Sequence, residues 1–140
     1  MTAELTVLAE AGAAVVVAAM ATDLWQGTRD AVLGLFGRVD RRRRDAVEAQ
    51  LDANAALVRT ATVPDDVRRA LFDFWAQELA ELLRRDPSGR EELARLTHEV
   101  GGALPVDRRA FVLEQTNTAT DFATIFAVQH GDLRTPGTRP

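Results

Sequence analysis

At 140 residues the chain has room for one domain with a real core and little more. Its 46% hydrophobic and 27% charged content is ordinary for a soluble globular protein, and a net charge of -4 argues against a general nucleic-acid binder, whose phosphate contacts need a net basic face. There is no cysteine, which excludes disulfides, thiolate metal sites and cysteine nucleophiles, and all 17 basic residues are arginine.

The first segment is the most apolar. Thr2 to Glu4 offers no basic region and Glu10 interrupts the apolar run, so an export signal is not expected. From Ala11 to Ala21 no residue is polar, yet the run falls short of the ~20 apolar residues that cross a bilayer. With Leu5, Val7 and Leu8 it makes a helix from Leu5 to Ala21 that is apolar nearly all round, which suits the centre of a bundle. Its alanines and Gly12 let neighbouring backbones come close, a property that also suits helix association in lipid.

A second helix is expected after Thr22 or Asp23 as N-cap, with Leu24, Trp25, Val32, Leu33, Leu35 and Phe36 apolar and Gly37 at its end. Gly27 and Gly34 each cost about 1 kcal/mol inside a helix, and a break or kink near Gly27 is expected. The densest charge follows, at Arg38, Arg41, Arg42, Arg43 and Arg44. Four consecutive arginines cannot share one face and ring the start of the next helix. They read either as a solvated helix start balanced by Asp40, Asp45 and Glu48, or as a patch for anionic lipid head groups, where each arginine adds about 1 kcal/mol. No aromatic residue interleaves with them to stack on bases.

The third helix runs to about Thr60 on Val47, Leu51, Ala55 and Val58. Pro64 opens a fourth, with Asp65 and Asp66 at the positive end of its dipole. Its expected core stripe is Val67, Leu71, Phe74, Trp75, Leu79, Leu82 and Leu83, with Phe72 off the stripe. Asp86-Pro87 ends it. Ser88 with Glu91 reads as a capping box for a fifth helix, buried through Leu93, Leu96 and Val100 and stopped by Gly101-Gly102. Pro105 to Glu114 is either a short helix docked by Phe111 and Val112 or an extended linker.

The segment from Gln115 to Asp132 does not read as helix. Thr and Asn open it, Ile125, Phe126 and Val128 are β-formers, and Gly131-Asp132 is a turn signal. A lone strand must pair with something, because its backbone groups cannot satisfy themselves. The fold class is therefore all-α, a helical bundle of four to five helices with a C-terminal non-helical tail. It divides into a bundle over 1–104, a linker or short docked helix over 105–114, the tail segment over 115–132 and a disordered end over 133–140.

Catalytic chemistry is sparse. The single serine, Ser88, is explained as a cap, and His98 and His130 belong to no ligand-spaced cluster. No Gly-rich phosphate loop is present, and the carboxylate pairs Asp65-Asp66 and Glu91-Glu92 sit in first helical turns, where the dipole accounts for them. No enzyme activity, cofactor or metal is expected.

Asn117-Thr118-Ala119, Ile125-Phe126-Ala127 and Val128-Gln129-His130-Gly131-Asp132 together resemble the bacterial amyloid signalling motifs related to the RHIM, whose core reads Val or Ile, Gln, any residue, Gly. The chain departs from that pattern at Phe122-Ala123 and at His130. Such motifs end small helical domains of the Bell type, which resemble the fungal HeLo domain. The resemblance implies an amyloid-triggered cell-death executor. Asn117, Ala119, Ile125, Phe126, Val128, Gln129 and Gly131 would form the stacking motif, templated by a receptor carrying a matching motif and assembling homotypically. Amide ladders from Asn117 and Gln129 and a dry interface at Phe126 and Val128 suit a stacked sheet. The first helix, through Leu5, Leu8, Gly12, Val15, Val16, Val17 and Met20, would then act on a membrane. The expected location is cytoplasmic, membrane-associated on activation, with no nucleic-acid partner. The alternative is a non-lytic helical adaptor of a bacterial immune or signalling system, recruiting partners through its tail.

Overall fold

The computed structural model describes residues 3–116, and these form six α-helices joined by short connections. Helix α1 (Ala3–Ala19) starts two residues before the expected Leu5, with Glu4 in its first turn, and ends two residues before Ala21. Its end is set locally: Ala21 takes a left-handed backbone with φ 65°, and Thr22 Oγ1 donates to the Ala19 carbonyl at 2.6 Å. Thr22 thus closes α1 and its hydroxyl also accepts from the Leu24 amide at 3.1 Å, while the N-cap position of α2 (Trp25–Gly37) is Leu24, without a side-chain cap of its own. The expected break near Gly27 is absent. Gly27 and Gly34 face open space, and the burial of Val32, Leu33, Leu35 and Phe36 outweighs their helix cost.

Helix α3 (Arg41–Thr60) is capped by Asp40, whose carboxylate accepts from the Arg42 amide at 2.9 Å. Helix α4 (Pro64–Arg85) begins on its proline, with Asp65 and Asp66 in the first turn and Arg84 and Arg85 in the last. Its buried face is not quite the one expected: Arg68, Trp75, Leu79, Leu82 and Leu83 are buried, Phe72 packs on the core half-buried, and Phe74 is 41% exposed. Positions 68, 72, 75, 79 and 82 follow the helical repeat as one row, and Phe74 lies off it.

A single 3-10 turn over Pro87–Gly89 leads into α5 (Arg90–Ala103). The expected capping box does not form, because the Ser88 hydroxyl is engaged by Asp86 and by Arg38 from α2's end, and Gly89 holds the N-cap position without a side-chain bond. Gly101 and Gly102 do not stop α5 either. It runs through them to Ala103, and Leu104 turns extended ahead of Pro105. Helix α6 (Val106–Thr116) settles the segment left open between linker and docked helix: it is a helix, seated through buried Phe111, Val112 and Thr116. It takes in Gln115 and Thr116, so the non-helical reading fails for these two. The remainder of the expected tail, 117–132, and the end at 133–140 lie outside the described residues.

Helix α1 sits in the middle. It packs against α4, α5, α6 and α2, while α3 bridges α2 and α4 on the far side. The core is all-α, and a buried bond between two side chains, from Trp75 Nε1 to Asn54 Oδ1 at 2.8 Å, fixes α4 on α3.

Candidate functional site

Every residue from Ala11 to Met20 is buried. Of the first-helix residues singled out from sequence, Gly12, Val15, Val16, Val17 and Met20 are enclosed, and Leu5 and Leu8 are half-buried. The enclosure is tight because α1 is built from small side chains. A β-carbon on Gly12 would lie 2.9 Å from Leu93 Cδ1 and 3.4 Å from Leu79 Cδ1, and one on Gly101 would lie 3.5 Å from Val15 Cγ2. Among the described residues no helix is long and apolar enough to cross a membrane.

The C-terminal end of α1 is the most polar place in the core. Its last turn carries no basic residue, so its free carbonyls are met from another helix. Arg68 of α4, only 1% exposed, donates from Nε to the Val17 carbonyl at 3.1 Å and from Nη2 to the Met20 carbonyl at 3.0 Å. Its Nη1 donates to Asp65 at 2.7 Å. Burial, and then the neighbouring Arg108, holds the Arg68 pKa below that of a free guanidinium, while Asp65 and Asp107 act the other way. A buried guanidinium this fully bonded cannot lose a partner cheaply: breaking such a site by removing one side costs about 3–5 kcal/mol.

The arginine segment is mostly spoken for. Arg38 pairs with Asp86 and Glu92, Arg43 pairs with Glu78 and lies over the Phe36 ring, and Arg44 pairs with Glu48 and Asp45. Arg41 and Arg42 are exposed and have no ion pair among the described residues. Of the expected anionic-lipid patch, two cations are thus left without an ion pair among the described residues. Arg29 of α2 is the other organising cation, held by Asp52 and Glu48 of α3, both at 2.7 Å. A groove of about 290 Å³ lies between α2, α3 and α4, floored by Phe36, Val39 and Leu82. Its rim of Arg43, Arg85, Glu78 and Glu81 is balanced in charge.

Among the described residues no three His, Cys, Asp or Glu side chains gather where they could hold a metal ion. His98 is exposed on α5, and His130 lies outside the described residues. Asn117, Ala119, Ile125, Phe126, Val128, Gln129 and Gly131 also lie outside them.

Sequence reasoning missed Arg68 and Asn54. Both occupy the buried row of their helices: Asn54 continues Val47 and Leu51, and Arg68 precedes Trp75, Leu79 and Leu82. A polar residue in phase with an apolar row was the available signal. Compared with family models, curated proteins and solved structures, the chain finds no match.

Proposed function

We propose that this chain is an amyloid-triggered cell-death executor, in which templated assembly of the tail leads the bundle to act on a membrane through α1. The observation that carries the reading is the enclosure of the C-terminal part of α1: an apolar run buried without a break from Ala11 to the helix end at Ala19, and on to Met20. At 17 residues α1 reaches ~25 Å, less than the ~30 Å of a bilayer's hydrocarbon core. Its action on lipid is therefore insertion as part of an assembly, and the assembly raises the local concentration of α1. Arg41 and Arg42, exposed at the start of α3, would approach anionic head groups.

The test has two arms. A peptide of Gln115 to Asp132 is expected to form cross-β fibrils, and changes at Gln129 and Gly131 to prevent it. Vesicles containing anionic lipid are expected to leak when the full protein is added with those fibrils, and intact vesicles under that condition defeat the proposal.

The position of α1 also favours the second reading, a non-lytic adaptor, because a helix packed against four others is an ordinary structural centre. Deleting α1 cannot separate the two readings, since the core goes with it. A reversible lock can. Val15→Cys with Gly101→Cys ties α1 to α5 across a close contact, in a chain that has no other cysteine. The executor requires leakage to vanish when the pair is oxidised and return on reduction. The adaptor requires the oxidised protein to signal as well as the reduced one.

A further inference from the structure

The first two turns of α4 hold two other helices at once. Arg68 turns inward to the Val17 and Met20 carbonyls at the end of α1. Its neighbour Arg69 turns outward, bonded to Asp66 at 2.6 Å and 3.6 Å from Glu114 of α6. The first turn of α6 brings two more charges to the same place: Arg108, which repels Arg68, and Asp107, which attracts it. Asp107 pairs with Arg108 at 2.7 Å, and the buried Arg108 Nε has no hydrogen-bond partner among the described residues.

These features make the junction uneven. An unbonded buried donor costs about 1–3 kcal/mol, so α6 is seated at a local disadvantage that its apolar contacts through Phe111 and Val112 must outweigh. The last turn of α1, Val16 to Ala19, and Met20 after it are fully buried, so apolar packing and the bonds to their carbonyls hold the end of α1 together. Its carbonyls are capped by the Arg68 guanidinium, a cation at the negative end of its dipole. Helix α6 is also the element whose last residue, Thr116, leads into 117–140.

We propose that this junction passes movement of α6 to α1: with α6 seated, Arg68 stays shielded from water and caps α1, and with α6 lifted, Arg68 hydrates and the end of α1 opens before the rest of the bundle. The coupling deepens the function proposed above, resting on it only for what lifts α6.

Hydrogen exchange on the full chain, read segment by segment by mass spectrometry, tests it with three variants. Arg68→Met removes the cap, Phe111→Ala loosens α6, and Asn54→Ala loosens the α3–α4 contact as a control. Arg68→Met and Phe111→Ala are each expected to speed exchange at the end of α1 by about tenfold, with α2 and α3 unchanged. Asn54→Ala is expected to speed all segments together. The proposal is overturned if the end of α1 stays protected in Arg68→Met, if Phe111→Ala opens α6 alone, or if Arg68→Met speeds every segment equally. Should Arg68→Met not fold, Asp65→Asn, which removes only the carboxylate partner, takes its place with the same expectations. No membrane or fibril enters this experiment. Selective opening without any seeded leakage keeps the junction and defeats the function, and leakage without selective opening does the reverse.

Discussion

Two glycines inside helices are predicted to respond to alanine in opposite directions. At Gly34 of α2 a β-carbon meets nothing within 4 Å, so alanine contributes its helix preference of about 1 kcal/mol with no opposing contact. For a chain of this size that raises the Tm by about 3–5 °C. At Gly12 of α1 the same preference is opposed by contact. The added carbon lies 2.9 Å from Leu93 Cδ1, and both Leu93 and Leu79 are fully enclosed, so the methyl group that must move has no free volume to enter. Overpacking of this kind costs about 1–3 kcal/mol. The net for Gly12→Ala is a loss of up to about 2 kcal/mol. Urea unfolding of both variants, with m-values compared to confirm an unchanged transition, provides the measurement. If Gly12→Ala stabilises as much as Gly34→Ala, α1 is not packed as tightly as described, and the argument from its enclosure fails with it.

Asn54→Ala should cost about 1–3 kcal/mol, because it leaves the Trp75 indole N–H buried without a partner; a urea midpoint equal to wild type would show that the bond carries nothing. Along α4, Leu79→Ala is expected to cost about 2–5 kcal/mol and Phe74→Gln at most about 1 kcal/mol, since Phe74 keeps little beyond its edge contact with Trp75. Equal losses would mean that the buried row is misplaced. The hydrogen bond from Arg29 holds the Asp52 carboxyl below its ordinary value. An acid depressed in the folded state contributes stability above its unfolded pKa, near ~4, and loses that contribution as pH falls through the folded value. Asp52→Asn should therefore flatten the fall in stability below about pH 4, by a small amount because the pair is exposed, and an unchanged acid profile would count against it. The raised pKa of Arg29 itself lies above any working pH and adds no dependence there.

Much of the bundle was legible because its helices obey one period. Val47, Leu51, Ala55 and Val58 marked α3, and Pro64 with two aspartates marked the start of α4, since both signals are local. What failed was decided by distant partners. Ser88 and Glu91 have the spacing of a capping box, yet Arg38, fifty residues earlier, takes the hydroxyl. Gly101-Gly102 has the composition of a stop, yet α5 runs through it, with Gly101 set close against Val15. Arg68 was passed over in the sequence, since arginine is seldom enclosed, and the bare carbonyls at the end of α1, some fifty residues away in sequence, are what make its burial favourable. Of the candidate site, the apolar centre of α1 could be read in advance, and the device that holds its end could not.

That device bears on how α1 could ever leave the bundle. A helix packed against four others is freed either by unfolding the whole domain, at a cost of about 5–15 kcal/mol, or by opening from one end. The two routes differ in what Gly34→Ala does. If α1 leaves only with global unfolding, an added 1 kcal/mol anywhere in the fold makes the open state about fivefold rarer, and seeded leakage slows by that factor. If the end of α1 opens at the Arg68 junction, α2 stays folded throughout, and the same substitution leaves the leakage rate unchanged. The junction predicts the second result, together with faster leakage from Phe111→Ala. A fivefold slowing in Gly34→Ala would place α2 inside the opening unit and reject the junction as the route.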